Sequence, residues 1–256
     1  MKKILNILCI LLLSINAFSQ TINSKYKITY YASINTHVPE KYDCYMYFTS
    51  NNSLFKWKKT GDTSLKSTPD GNYTSAAHLK DGEFNYVDLT DRTIISKGFV
   101  SLNEAHLIKQ KLPEIHWEIM PEKKTIGDYT CTKARGLYMG RNYTVWFTNE
   151  IPVSYGPWKL QGLPGLILEA FDDANEINFK LKNITTNDEL LTVDLKNKEL
   201  ITLEKYYQRV IDYPFELLRR VQAKAKRGTT VSITHIDYNF LEKDYEILGD
   251  EEFRNK

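Results

Sequence analysis

The feature that most constrains this chain is a succession of short runs rich in aromatic and β-branched residues, each followed by a turn signal. The clearest pair spans residues 129–139 and 142–148. In the second run, apolar residues alternate with a second set that contains Trp146, as in a strand with one buried face. Gly140-Arg141 lies between the runs and predicts a type II′ turn, because glycine accepts the positive φ of the first turn position. A chain built of such units folds as antiparallel sheet.

The same pattern extends over most of the chain. Further hairpins are predicted from residues 41–50 with 53–58, 83–89 with 93–100, and 166–171 with 177–184. In the run 53–58, Leu54, Lys56 and Lys58 share one face of the strand, and Phe55 and Trp57 share the other. Single strands are predicted at 25–34, 115–120 and 231–238, and a short helical or irregular segment at 103–111. The pattern therefore accounts for most of the chain between residues 25 and 184, apart from the Thr-, Ser- and Gly-rich stretch 59–77, which is predicted to be the least ordered.

Only residues 202–227 have strongly helical spacing of apolar residues. Pro214 interrupts this spacing and is predicted to begin a second helix, because proline suits a first turn. The polar face of the second helix is basic, with Arg219, Arg220 and Lys224. A solvated helix face is the favoured interpretation, and contact with a membrane surface is the alternative.

The N-terminus has the order of a secretory signal. Lys2 and Lys3 precede an apolar run, and Ala17-Phe18-Ser19 supplies small residues at a cleavage site. We therefore expect a signal peptide at 1–19 and a single domain at 20–256, with an uncleaved anchor as the alternative. No second apolar run reaches membrane length, so no transmembrane span is expected in the mature chain. The protein is expected in the periplasm, at the outer membrane or outside the cell.

The charge balance bears on nucleic-acid binding, and the cysteine content bears on a possible disulfide. The chain has 34 basic and 32 acidic residues, and removal of the signal peptide takes two lysines away. A mature chain with balanced charges argues against nonspecific binding of nucleic acid. Cys44 and Cys131 remain after cleavage. In an oxidising compartment they are expected either to form a disulfide or to stay as two separately buried thiols.

One stretch carries more than a pattern. Trp146-Phe147-Thr148 leads to Gly156-Pro157-Trp158-Lys159 and then to Gly162-Leu163-Pro164-Gly165-Leu166-Ile167. With its surroundings between about residues 115 and 184, this stretch resembles the GLPGLI family of exported bacterial proteins, which is named for the last six residues. The resemblance implies export and a β-rich fold, and it assigns no catalytic residue.

The hexapeptide predicts a tight corner that enters a core strand, because glycine permits close backbone approach and proline fixes φ. A functional alternative is a loop that lines a ligand cavity. The candidate binding residues are then Trp146, Trp158, Lys159, Leu163 and Pro164.

The sequence contains no recognisable catalytic or metal-binding motif. The chain lacks a G-x-S-x-G elbow, and its five histidines have no metal-ligand spacing. No catalytic residue, metal or cofactor is therefore predicted, and an enzyme is the less favoured class.

These observations predict an α+β domain, mainly antiparallel, with a curved sheet or half-open barrel and C-terminal helices packed on one side. The first functional hypothesis is a noncatalytic protein that holds an apolar small molecule or a partner segment in the concavity of the sheet. The alternatives are an interaction partner of an outer-membrane protein and a hydrolase whose residues converge only in space.

Overall fold

The computed structural model describes residues 19–36, 39–60, 82–101, 103–195, 198–233 and 241–244. The signal peptide predicted at 1–19 lies outside the described residues except for Ser19, which opens the first strand. The strand predicted at 231–238 lies mostly outside them too, and its described part, 231–233, has no regular structure. The structure therefore tests neither prediction fully.

The described residues form fourteen strands and one helix. The first seven strands are β1 (Ser19–Asn23), β2 (Tyr26–Ile34), β3 (Glu40–Phe48), β4 (Asn52–Thr60), β5 (Phe84–Asp88), β6 (Thr93–Phe99) and β7 (Ala105–Lys111). They are followed by β8 (Glu118–Ile126), β9 (Tyr129–Tyr138), β10 (Arg141–Thr148), β11 (Leu166–Asp172), β12 (Ile177–Thr186), β13 (Leu190–Asp194) and β14 (Leu200–Ile201). The helix α1 spans Leu203–Lys224.

Twelve strands form one open sheet in the order β14-β7-β6-β5-β4-β3-β2-β12-β11-β10-β9-β8. All neighbours are antiparallel except the short β14–β7 pair. The rings of Trp57 on β4 and Phe179 on β12 lie 5.7 Å apart although two strands separate β4 from β12. Side chains stand roughly perpendicular to a sheet, so this contact requires the sheet to curl toward the face that carries them. The predicted curved antiparallel architecture is confirmed.

The two faces of this sheet are covered differently. The inner face, which carries Phe55 and Trp57, faces the main core. The outer face of the same strands carries Leu54, Tyr86 and Leu107, and it packs against a separate two-stranded sheet of β1 and β13. The predicted division of β4 into two faces is therefore correct.

Helix α1 is one continuous helix with Pro214 inside it, so the prediction of two helices is wrong. Thr202 caps its N-terminus by accepting a hydrogen bond from the Lys205 N–H at 3.2 Å. Proline removes one backbone hydrogen bond and favours a kink, but it does not end a helix whose flanking residues stay helical. The buried side chains lie only in the first half: Leu203, Tyr207, Val210 and Ile211.

Two local predictions are corrected. The segment 103–111 contains strand β7, not a helical or irregular stretch, because Leu107 and Ile108 are each buried, on opposite faces. The hairpin turn between β9 and β10 consists of Met139 and Gly140, both with positive φ (46° and 76°). Positive φ at both central positions is typical of a type I′ turn, so the turn begins one residue earlier than predicted.

Candidate functional site

The hexapeptide forms a corner between β10 and β11, and glycine is required at its two glycine positions for different reasons. Gly162 has a φ of +98°, which side-chain-bearing residues rarely adopt. A Cβ on Gly165 would lie 2.0 Å from the backbone oxygen of Thr148, so this position needs the absence of a side chain. Leu163 is buried between them, and Pro164 is exposed. The predicted corner at the entrance of a core strand is what the structure contains.

Trp158 lies in the core just before this corner. Its side chain is 3% exposed and packs edge-on against Tyr138, with 5.3 Å between ring centroids. Its φ of 60° is a rare conformation for a bulky residue. Such strain persists only where the surroundings enforce it, and here the buried ring supplies that constraint.

Lys159 is the centre of a buried ionic cluster, which we define as Lys159, Glu242, Tyr207 and Gln110. The ammonium of Lys159 donates to Glu242 Oε1 at 2.6 Å and to Gln110 Oε1 at 3.1 Å. The hydroxyl of Tyr207 donates to the other carboxylate oxygen, Glu242 Oε2. Burial, together with the Glu242 carboxylate, raises the pKa of Tyr207 well above its usual range. Because both oxygens of Glu242 are engaged, the cluster holds the loop and the helix together and offers no free base.

A second buried cation, Arg141, contacts the same segment of the chain as Lys159, namely residues 241–244. Arg141 donates to Asp172 Oδ2 at 2.8 Å and to Glu176 Oε2 at 2.5 Å. Its Nε also donates to the backbone oxygen of Leu241 at 2.9 Å. We call residues 241–244 the C-terminal strap. Arg141 and Lys159 therefore both hold this strap against the inner side of the sheet.

A small cavity of about 80 Å³ lies beside the ionic cluster, between the inner face and α1. Its lining includes Trp57, Trp158, Lys159 and Glu242. This volume has room for a few water molecules, since each takes about 30 Å³ in the liquid. The rest of the inner face is filled by side chains of the main core, including Trp158 and Leu163.

The predicted binding residues do not share one opening. Trp158, Lys159 and Leu163 are buried on the inner side, and Pro164 is exposed on the corner. Trp146 alternates with the inward residues of β10, and its ring lies 4.5 Å from the ammonium of Lys124. Lys124 also contacts Glu169. The structure thus brings three of the five residues together in a closed interior, leaves Trp146 half-buried against the main core, and exposes Pro164.

The larger opening lies on the outer face, which sequence reasoning did not identify. A groove of about 860 Å³ runs between strands β3–β7 and the chain from β13 to β14; we call it the outer groove. Its accessible apolar lining includes Tyr45, Phe84 and Ala105, which lie above the buried Leu54, Leu107 and Val193. Its lysines are Lys56, Lys58, Lys97 and Lys198. The alternation of Leu54, Lys56 and Lys58 was the visible signal, but the wall formed by β13 was not predicted.

The outer groove and the small inner cavity share part of their lining near the start of β5, at Phe84. Trp57, Glu83 and Lys97 line both the outer groove and the small inner cavity. The two openings therefore meet where β5 starts.

The cysteines are not joined: Cys44 and Cys131 are both buried free thiols. They lie on β3 and β9, and four strands of the sheet separate those two. A disulfide needs Cα atoms within about 7 Å, and adjacent strands alone are about 4.8 Å apart. Burial raises the pKa of Cys131 to about 11 and that of Cys44 well above its usual value.

Metal chemistry finds no support in the part of the chain that the structure describes. Within those residues, no three His, Cys, Asp or Glu side chains converge as a metal site would require. The same residues include no helix long and apolar enough to cross a membrane.

A family model matches a small part of the chain, and that part contains the hexapeptide. Residues 139–169 match the model of a family described as a protein of unknown function (Porph_ging). The match contains the hexapeptide and is compatible with the GLPGLI resemblance, although it does not establish that name. No curated protein matches the chain significantly.

Among solved structures, a crystal structure of PNGF-II is similar with a TM-score of 0.52 and 18% identity, over 73% of this chain and 33% of that chain. This chain therefore spans about a third of the PNGF-II chain. A second crystal form gives a TM-score of 0.47 and 17% identity, over 75% and 32% of the two chains. An uncharacterized conserved protein from Thermus thermophilus gives 0.36 and 9%, over 69% and 89%. At such identities the first likeness concerns the β-rich fold alone.

Proposed function

We propose that this protein is an exported, noncatalytic binding protein that holds an apolar small molecule in the outer groove. The observation that carries the proposal is the groove itself: about 860 Å³, with a floor of apolar side chains. Ligand sites in proteins are concave, mostly apolar and about 300–1,000 Å³ in volume. The concavity of the inner face, where the sequence suggested a ligand, is filled by the core.

Two further features support a noncatalytic, exported role. Both carboxylate oxygens of the buried Glu242 accept hydrogen bonds, and burial raises the pKa of both cysteine thiols, so these groups are poorly suited to catalysis. The order of charge, apolar run and small residues at 1–19 supports export. The proposed site is therefore one of binding, outside the cytoplasm.

The proposal is tested with the neutral fluorescent probe N-phenyl-1-naphthylamine. We expect saturable binding at one site per chain, measured by fluorescence titration of the purified mature protein. Thr192 is exposed and lines the groove. Thr192→Trp places a large ring in the opening and should abolish binding.

The matched control is Thr186→Trp, because Thr186 is also an exposed strand threonine but lies outside the groove. This variant should bind the probe like the wild type. Equal binding by both variants, or no saturable binding by the wild type, would refute a binding site in the groove.

A second candidate function is interaction with an outer-membrane protein. The second half of α1 extends past the buried half, and Leu217 and Val221 on it are each 44% exposed. Exposed apolar side chains on a projecting helix suit a protein contact. Leu217→Asp with Val221→Asp should then remove any outer-membrane protein that cross-links to the wild type in intact cells, without lowering thermal stability.

Strand addition is a less suitable route to that interaction. The free edge strand β8 contains Pro121 and carries Glu118, Glu122, Lys123 and Lys124. Proline and charges are the usual means by which an edge strand resists pairing with another chain. The helix is therefore the better candidate surface for a protein partner.

A further inference from the structure

A row of side chains crosses the floor of the outer groove from strand to strand. Tyr45 pairs with Lys56, Lys56 with Phe84, Phe84 with Lys97, and Lys97 with Leu107. Directly paired residues on neighbouring strands project on the same face. The row therefore alternates apolar and basic side chains, with Phe84 between two lysines.

The charges of these lysines are not compensated by carboxylates of the described residues. Within the described residues, Lys56, Lys58 and Lys97 have no carboxylate partner, and Lys97 lies 4.9 Å from the ring of Phe99. Lys56 and Lys97 are half-buried, and Lys58 is exposed. Three unpaired cations beside apolar surface form a local excess of positive charge in a chain whose overall charge is nearly balanced.

The acidic residues that line the groove have partners other than Lys56, Lys58 and Lys97. Asp194 pairs with Lys198 at 3.5 Å, and Glu199 pairs with Lys205 at 3.4 Å. Glu83 is buried beside the start of β5, and on the inner side burial together with the Glu83 carboxylate raises the pKa of Tyr206. These carboxylates therefore leave the positive charge of the lysine row in place.

We infer that the ligand of the outer groove is an amphipathic carboxylate, with its carboxylate held by Lys56 and Lys97 and its apolar body on the accessible surface of Tyr45, Phe84 and Ala105. This inference rests on the proposed function and specifies its ligand class. Each lysine lies one strand step, about 4.8 Å, from Phe84, so two flexible ammonium groups can converge on one carboxylate above that ring. Apolar floor and cationic row together match a molecule with one charged end.

The test compares dodecanoate with the neutral 1-dodecanol, which has the same chain length, by displacement of N-phenyl-1-naphthylamine. The wild type should bind dodecanoate about tenfold more tightly than the alcohol, since a hydrogen bond to a charged group contributes about 1.5 kcal/mol. The double variant Lys56→Gln, Lys97→Gln should lose this preference and retain its affinity for the alcohol.

The control double variant is Lys41→Gln, Lys109→Gln, which removes two exposed lysines outside the groove and should keep the preference. Equal affinity of the wild type for dodecanoate and dodecanol would overturn the carboxylate inference and leave the apolar site standing. Failure of both compounds to displace the probe would remove the groove as their site altogether. A preference that survives loss of Lys56 and Lys97 would also overturn the assignment of the head group.

Discussion

The two faces of the large sheet differ in whether their cationic side chains have carboxylate partners. On the inner side, the buried Lys159 and Arg141 are each matched by carboxylates and by further hydrogen bonds. On the outer face, Lys56 and Lys97 lie beside apolar side chains without a carboxylate partner among the described residues. A buried charge is tolerated where carboxylates and hydrogen bonds compensate it, whereas an uncompensated charge in an open groove is available to a ligand. Lys159 and Arg141, which lie in the stretch that matches a family model, both belong to the compensated inner side.

The largest expected effect concerns the backbone packing of the inner side. Gly165→Ala should cost more than about 4 kcal/mol of unfolding free energy or prevent folding, because the new Cβ would meet the backbone of Thr148 at 2.0 Å. Gly162→Ala should cost about 1–2 kcal/mol, because only its φ is unfavourable. Urea unfolding followed by circular dichroism measures both. Equal costs would mean that close approach is not what position 165 requires.

The next effect tests the comparison of charges directly. Lys159→Met leaves Glu242 buried without its cation and should cost about 3–5 kcal/mol. Lys56→Met on the outer face should change stability by less than about 0.5 kcal/mol. Denaturant unfolding of the two variants supplies the numbers.

The double variant Lys159→Met, Glu242→Gln is the control for the buried pair. It should recover at least half of the loss, because no unpaired charge remains inside. If the two single lysine variants were equally stable, the contrast between the faces would be wrong.

Thiol reactivity tests the closure of the inner side. Burial raises the pKa of Cys131 to about 11 and that of Cys44 well above its ordinary value. At about pH 8, both should react with iodoacetamide at least about a hundredfold more slowly than a free cysteine, because the thiolate is the nucleophile. Mass spectrometry of folded and denatured protein counts the added groups. A folded protein lighter by two hydrogens, with no thiol to alkylate after unfolding, would instead indicate a disulfide.

The smallest expected effect concerns Glu104, a partly exposed residue that lies just before β7 and contacts Arg209 on α1. A hydrogen bond from His106, followed by the contact with Arg209, lowers the pKa of Glu104. The ionised Glu104 therefore adds to the free energy of unfolding above its unfolded-state pKa of about 4.3. This contribution is lost as the pH falls through the lower pKa that Glu104 has in the folded protein. Glu104→Gln should therefore cost less than about 1 kcal/mol at about pH 7 and nothing in strong acid. Unfolding midpoints across this pH range measure it; a cost that grows in acid would contradict the assignment.

The elements that were predicted correctly are hairpins, in which apolar and polar residues alternate along two strands that are close in the sequence. The hairpins β3–β4, β5–β6 and β11–β12 were correct because each joins neighbouring segments across a short turn. Strand β13 was missed because it is five residues long and its partner β1 is far away in the chain. Strand β7 was misread because adjacent residues are buried on both of its faces.

The candidate site was the harder prediction for the same reason. The outer groove exists only because β13 and the following residues stand over β3–β7. The lysine row depends on the register of five strands, β3 to β7, which no single segment specifies. By contrast, the hexapeptide corner was predicted, because its glycines and proline act on their own backbone.

The C-terminal strap has a consequence for the order in which this molecule matures. The partner of Lys159 lies 83 residues later in the chain, and the carbonyl that binds Arg141 Nε lies 100 residues later. A nascent chain that ends before the strap can form most of the sheet but leaves the ammonium of Lys159 facing only Gln110 and the Trp158 ring. The two buried cations of the inner side therefore gain their last partners only when the final described segment of the chain has been made.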